Sequence, residues 1–552
     1  MFRRLTYIAL STAALLFARG FDGARSETLT PFYRATQLQG HLFGMGLAEI
    51  PGYLQGGDLA FPYKKKVGFS REIPFADTFV INRVMGGYRE DWLRKFHHWD
   101  KRLGRRSLDY VTKSQDGKLQ FHPNLIVARL KPYLDAGYKP VDITLALGNT
   151  PWDLATPVGS PPKEGVWGRK TPPGDLAEWG AVVRHFALDL KNYLGEDAEK
   201  VGFETGVEFD EKSSFDGGAQ AFFRYYEATD RALHSVLPRA RVSPGEFTGG
   251  GECRPVNPNC VYDTQRLIDV ARRDGLVINV IPRSLHSLVD KKVAWPSEAA
   301  RRTLASFARL PGVTPEIHQF GLLFEPFGED AGSDPGPMYA NWEFQTLARL
   351  LLAGPPRRVF HWGGFIPVGK FLFLNGSGFL RLVLDHYLGR SVALAETRDP
   401  QVGRPFPAET FALSLTGADS VALIASSFSP RPAPGARPIS IELPAAWKGK
   451  GVKLVRYRAS DNVFASIKRD LAAKNNLRSE FSSCLLCLGS PIKMAADVGR
   501  VRKMIARNWP RYEREMRDGL KWVDNDPNVF IQGRTLTAQM EANELLIVEP
   551  LI

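Results

Sequence analysis

From about residue 70 to 390 the chain alternates strand-like and helix-like segments, and this alternation most limits its fold. Phe79–Met85 reads as a strand, Leu125–Ala136 as an amphipathic helix, and Pro140–Leu147 as a strand. Leu176–Leu194 has strong helical periodicity, Val201–Asp210 alternates as a strand, and Ala219–Leu237 is again helical. Ala240–Ser243, Leu276–Ile281, Glu316–Gly321 and Arg358–Trp362 read as further strands, separated by helices over Thr264–Arg273, Pro296–Leu310 and Tyr339–Leu352. Repeated strand–helix units imply a parallel sheet with helices outside it, and a count near eight implies an α/β fold of the (β/α)8 TIM-barrel type over residues 70–390. After 390 the pattern becomes short strands between Gly/Pro-rich turns, as expected of a C-terminal antiparallel β-sandwich over 391–552, with a polar helical insertion near Ala496–Trp522. Residues 27–69 form an N-terminal segment that could join that sandwich.

The leader bounds the compartment. Arg3 and Arg4 precede an apolar run, Leu5–Ala18, and Ala24-Arg25-Ser26 supplies small residues for cleavage, so 1–26 has the layout of a secretory signal peptide. The run is short for a membrane span, and no later apolar run reaches 18 residues; a secreted or periplasmic protein with no stable span is expected. In such a compartment two local disulfides are the simplest reading of the close cysteine pairs, Cys253 with Cys260 and Cys484 with Cys487. A zinc site would need four converging ligands, and a lone C-x2-C does not supply them. No cofactor is called for. The net charge is +13, and loss of the leader, with four Arg and one Asp, leaves +10. That balance suits anionic partners. No nucleic-acid motif is present, so an acidic glycan is the more natural partner of an exported chain.

Val201–Asp210 (VGFETGVEFD) carries the chemistry. Period-2 alternation puts Glu204 and Glu208 on one face, with Gly206 between them. A carboxylate at the C-terminal end of a strand that feeds a helix lies where a (β/α)8 barrel places its active site. Around it, Thr171–Asp210, Tyr225–Ser243, Ser284–Ser287 (SLHS), Arg456-Tyr457-Arg458 and Gly489-Ser490-Pro491 resemble, in order and spacing, landmarks of glycoside hydrolase family 39, the β-xylosidase-like group of retaining barrel enzymes. The resemblance covers roughly residues 70–552.

It implies a glycosidase acting on a poly- or oligosaccharide, with Glu208 as general acid/base. Glu204 is implied as a neighbouring carboxylate, and Arg83 as a buried arginine pairing with Glu204 beneath it. The family expects Trp-Asn-Glu-Pro here, and this chain has Gly206-Val207-Glu208-Phe209. It also has Met85 where the family tends to have His. The matching run on the seventh strand, Glu316-Ile317-His318-Gln319-Phe320, puts Gln319 at the nucleophile position. An amide carries no charge and cannot form the glycosyl ester. Gln319 could instead orient water, with Glu246, Glu325 or Glu329 as base. In a shifted register Glu316 would be the nucleophile. Trp152 and Trp362 are candidate sugar platforms, with Trp167 in a nearby loop; His286 and His318 are candidate donors to sugar hydroxyls, and no metal-ligand spacing stands out. Two rivals remain: a non-catalytic glycan-binding relative that handles cell-surface polysaccharide, and a polysaccharide lyase.

Overall fold

The computed structural model describes residues 36–37, 43–47, 79–81, 83–95, 99–135, 139–154, 170–212, 214–245, 247, 264–276, 278, 280–288, 294–308, 313–323, 336–353, 359–362, 365–368, 371–387, 391–395, 397–398, 408–416, 422–430, 435–473, 498–519, 521–524 and 526–551. Glu246, Trp167, Glu325, Glu329 and the leader lie outside them. So do all four cysteines, Cys253, Cys260, Cys484 and Cys487, and with them both expected disulfides, Cys253 to Cys260 and Cys484 to Cys487. Among the described residues there is no cysteine, paired or free.

Eight parallel strands form one sheet: β1 (Phe43–Leu47), β2 (Phe79–Ile81), β3 (Ile143–Ala146), β4 (Gly202–Glu204), β5 (Arg241–Ser243), β6 (Val280–Leu288), β7 (Thr314–Leu323) and β8 (Val359–Trp362). β8 pairs with β1, and a parallel bridge from Phe247, just past β5, to Arg283 on β6 joins the remaining edges. The Phe247 N–H donates to Pro282 O at 3.1 Å, and the Ser284 N–H donates to Phe247 O at 2.7 Å. The result is a TIM barrel. Its first strand, Phe43–Leu47, lies upstream of the boundary at residue 70 drawn from the sequence. Within the same expected N-terminal segment, Thr36–Gln37 pairs antiparallel with Ser391–Leu394 in the C-terminal region.

Helix α1 (Leu176–Leu194) has the bounds its periodicity predicts, because Asp175 caps it by accepting from the N–H groups of Ala177 and Glu178. Trp179, Val182, Val183, Phe186, Ala187 and Leu190 form its buried face. The next helix, α2 (Ala219–His234), buries Phe222, Phe223, Tyr225, Tyr226 and Leu233. These apolar stripes pack the helices onto the barrel.

Beyond the barrel, two antiparallel sheets share one apolar cluster. The larger includes Glu409–Thr416, Ala422–Phe428, Val452–Tyr457 and Glu544–Pro550; the smaller includes Ala436–Glu442 and Thr535–Glu541. Leu423, Ala425, Leu454, Leu546 and Val548 of the larger meet Ile439, Ile441, Leu536, Ala538 and Met540 of the smaller. Alternate residues of the same strands, among them Leu413, Leu415, Ile424, Val455, Leu545 and Ile547, belong to the cluster that includes the barrel core. Both faces of the larger sheet are therefore covered, which accounts for its nearly continuous apolar strands.

The helix α3 (Pro337–Ala353) follows β7 and is buried at sixteen of its seventeen residues. It joins the two regions with polar ties: Arg349 Nη2 meets Glu409 Oε1 at 2.6 Å, and Gln345 Nε2 donates to Glu409 O at 2.7 Å and to Ser426 Oγ at 3.0 Å.

Candidate active site at the barrel mouth

The ends of β3, β4 and β5 approach backbone to backbone. A Cβ on Gly245 (φ +133°) would lie 2.4 Å from Gly206 O, and one on Gly148 would lie 2.6 Å from Gly206 Cα. Only glycine fits that spacing, and Gly245 also has a backbone conformation that side chains rarely adopt. Gly245→Ala is expected to lower stability by about 2–3 kcal/mol through strain and contact with Gly206. Urea denaturation would measure it, and a variant within about 0.5 kcal/mol of the parent would contradict this packing.

This approach ends β4 early. The sequence predicts a strand through Glu208; the strand stops at Glu204, and its ladder continues only through Thr205, whose N–H donates to Ser243 O at 3.1 Å. Glu208 then adopts φ +54°. Arg83 (φ +50°) and Asn149 (φ +64°) do the same just past β2 and β3. Among the described residues, only one further non-glycine residue has positive φ, Asn543, in the turn before Glu544–Pro550. Such conformations cost about 1–3 kcal/mol each and persist where surrounding structure imposes them, often at functional sites. Three at adjacent strand ends mark this mouth.

Their side chains are also held. Arg83 is buried, and its Nε donates to Asn149 Oδ1 at 2.8 Å. Burial pulls the guanidinium down to about 9, against the upward pull of Tyr88 and the Glu208 carboxylate. The half-buried Glu208 accepts from Ser284 Oγ at 3.1 Å on Oε1. The mouth thus presents a carboxyl positioned by a hydroxyl, with a buried cation close enough to feel its charge. Sequence reasoning does not single out Asn149; its signal is the Gly148-Asn149 pair at a strand end, where Asn tolerates a left-handed backbone.

Glu204 does not pair with Arg83. It is fully buried inside the barrel, and its Oε1 bonds Nδ1 of His318. The other ring nitrogen of His318, Nε2, lies 2.7 Å from Glu316 Oε2. Carboxylates only accept, so a His between two of them donates from both nitrogens as the imidazolium. Burial opposes that charge; Glu204 first and Glu316 second outweigh burial and raise the imidazole to about 10. His318 therefore has its ring nitrogens committed to carboxylates rather than to sugar hydroxyls.

Glu316 is not at the mouth either. It is the third residue of β7 and lines a small internal cavity with Arg241 and Val280, the first residues of β5 and β6. That is the N-terminal end of the barrel, away from the side that bears chemistry.

The β6–β7 register places Gln319 instead. Ile317 pairs with Arg283 and Gln319 with Ser284, so His318 is an extra residue in a bulge. The backbone of Gln319 is thus level with the serine that holds Glu208. His286 and Trp362 have strand backbones, on β6 and β8; their side chains, like that of Gln319, lie outside the described residues.

Trp152 is packed, not open. It is 6% exposed, and its indole N–H donates to Tyr88 O at 3.1 Å. Its backbone N–H donates to Asp109 Oδ2 at 2.6 Å, while Asp109 Oδ1 accepts from Gly87 N at 2.8 Å. Asp109 thereby ties the loops after β2 and β3 together, and Trp152 braces the mouth. Among the described residues, no cluster of three or more His, Cys, Asp or Glu could hold a metal ion, and no helix is long and apolar enough to cross a membrane.

The fold is a TIM barrel with a held carboxyl, Glu208, just past its fourth strand, and the barrel architecture is shared with glycosidases of known structure. The chain superposes on a monomeric beta-xylosidase from Caulobacter crescentus CB15 with a TM-score of 0.58 at 15% identity, covering 94% of this chain and 97% of that one. It superposes on the GH39 enzyme from Xanthomonas axonopodis pv. citri with a TM-score of 0.57 at 14% identity, covering 94% and 95%. At these identities the likeness is one of fold. In sequence, 81 residues are 32% identical to an alpha-1,4-L-rhamnosidase of Formosa agariphila; this is 14% of the present chain, which spans only 17% of that relative's length. No protein-family profile matches the sequence.

Proposed function

We propose that this protein is an exported glycoside hydrolase in which Glu208 is the general acid/base, set on a barrel followed by a C-terminal β-sandwich. The observation that carries the reading is the placement of Glu208: at the mouth, in a strained backbone conformation, bonded to Ser284 and beside Arg83. A carboxyl so held can protonate a leaving glycosidic oxygen and regain its proton from solvent after each turnover. Gln319, level with Ser284 in the register, cannot take the covalent step. Its amide suits orientation of a water molecule, and Glu246, three residues past β5, is the candidate base. Attack by water from the face opposite the leaving group inverts the anomeric centre, with the two carboxyls about 6.5–9.5 Å apart.

Incubation of the purified protein with aryl glycosides and plant or bacterial oligosaccharides, with NMR of the first-formed anomer, tests this. Inverted product supports the reading, and retained product would show that a carboxylate, not Gln319, does the displacement. The second reading, a non-catalytic glycan-binding protein, is favoured by Gln319 itself; sugar binding without turnover of any substrate would establish it. The closed packing of Trp152 removes one expected platform under either reading.

A further inference from the structure

The helix Val498–Asp518 in the C-terminal region carries a feature that neither the mouth nor the core uses. Its apolar side chains, Met504, Ile505, Tyr512 and Met516, are buried against the protein. At about 100° per residue, Lys503, Arg507 and Arg514 fall within about 40° of one another on the opposite, exposed face. They span about 16 Å along the axis. None of the three has an ion-pair partner among the described residues, whereas Arg511 beside them meets Asp470.

Four exposed helical cations elsewhere in this chain are paired one turn away, whereas Arg184, Arg224 and Arg301 stand singly on their helices. Arg94 meets Glu90, Lys131 meets Asp135, Arg231 meets Glu227 and Arg302 meets Glu298, each at i,i+4. Here Lys503, Arg507 and Arg511 follow one another at i,i+4 as like charges, an arrangement that weakens the first half of the helix, while the opposite-charge neighbours, Glu515 to Arg511 and Asp518 to Arg514, come only in its last turns. The first turn has no acidic residue, and Arg500, Arg502 and Lys503 lie near the end where the helix dipole is positive. Two unfavourable electrostatic choices on one helix are both relieved by an anion along its exposed face.

We infer that the exposed face of Val498–Asp518 binds an anionic polysaccharide, one bearing carboxylates or sulfates along its length. The choice of a glycan rests on the carbohydrate-directed function proposed above. Other polyanions fit less well. A membrane-surface helix needs a free apolar face, and this one is buried in its own protein. Single-stranded nucleic acid favours aromatic side chains among the cations; Trp509 is half-buried and packs on the core.

The test compares the full chain with Lys503→Gln/Arg507→Gln/Arg514→Gln by affinity electrophoresis in polygalacturonate, in neutral xylan, with duplex DNA and with phosphatidylserine vesicles. At about 50 mM salt the parent is expected to bind polygalacturonate, and the variant at least about tenfold more weakly, with a shallower salt dependence. Arg507→Glu, which creates i,i+4 pairs with Lys503 and Arg511, is expected to raise the Tm while weakening binding. Equal affinity of parent and variant, preference for DNA or vesicles, or no binding to polygalacturonate at low salt would overturn the inference. Binding of polygalacturonate by a protein that hydrolyses no glycan would defeat the proposed enzyme and leave this surface standing.

Discussion

Replacing Glu208 by Gln is expected to lower kcat about a thousandfold on substrates with poor leaving groups, while the fold and Tm stay near the parent's. General acid–base catalysis contributes typically about 10²–10⁴-fold. The amide keeps the shape of the carboxyl and can still meet Ser284 Oγ, so the mouth has little reason to rearrange. The effect depends on the leaving group. A nitrophenolate departs without protonation, so its turnover should fall far less than that of an unactivated disaccharide. This contrast separates loss of a proton donor from loss of binding, which would depress both alike. Unchanged disaccharide turnover in the variant would remove Glu208 from the mechanism.

The second large effect is expected at His318. Replacement by Leu leaves Glu204 and Glu316 buried without the imidazolium between them, and removing one partner of a buried ion pair typically costs about 3–5 kcal/mol. The same clamp makes stability depend on pH. His318 is raised in the folded state from 6.5 to about 10, so the folded chain keeps its proton where the unfolded chain has lost it. Its contribution is complete below about pH 6.5 and is lost as pH rises toward 10, with a slope of at most about 1.4 kcal/mol per pH unit. Urea denaturation of parent and His318→Gln from pH 6 to 10 would show it. Stability that falls no faster in the parent than in the variant would refute the charged clamp.

The barrel is legible in the sequence because its helices are amphipathic and its strands punctuated. Leu176–Leu194 can be placed to the residue, since an N-cap aspartate and an apolar stripe both mark it. The first strand is not legible: Phe43–Leu47 (FGMGL) has two glycines and no helical repeat beside it. At the site, Glu208 stands out as a strand-end carboxylate, but period-2 reasoning carries the strand too far. Alternation is a local rule, and the turn after Glu204 comes from the contact among Gly148, Gly206 and Gly245, which are distant in sequence. The fate of His318 is hidden for the same reason. Its partner Glu204 lies 114 residues away, and the bulge that makes it an extra residue exists only in the pairing with β6. Trp152 misleads because stacking platforms and packed indoles look alike until the Tyr88 carbonyl is found on the indole N–H and Asp109 on the backbone N–H.

Helix α3 has a bearing on how this molecule can be taken apart. A helix buried at sixteen of seventeen positions has no face left over for water. A chain ending near residue 390 would strip Glu409 and Ser426 from Arg349 and Gln345 and uncover the apolar residues that meet the larger antiparallel sheet. The barrel is thus no detachable module: heat should melt both regions in a single calorimetric transition, and grafting the mouth into another protein would have to carry the antiparallel sheets with it.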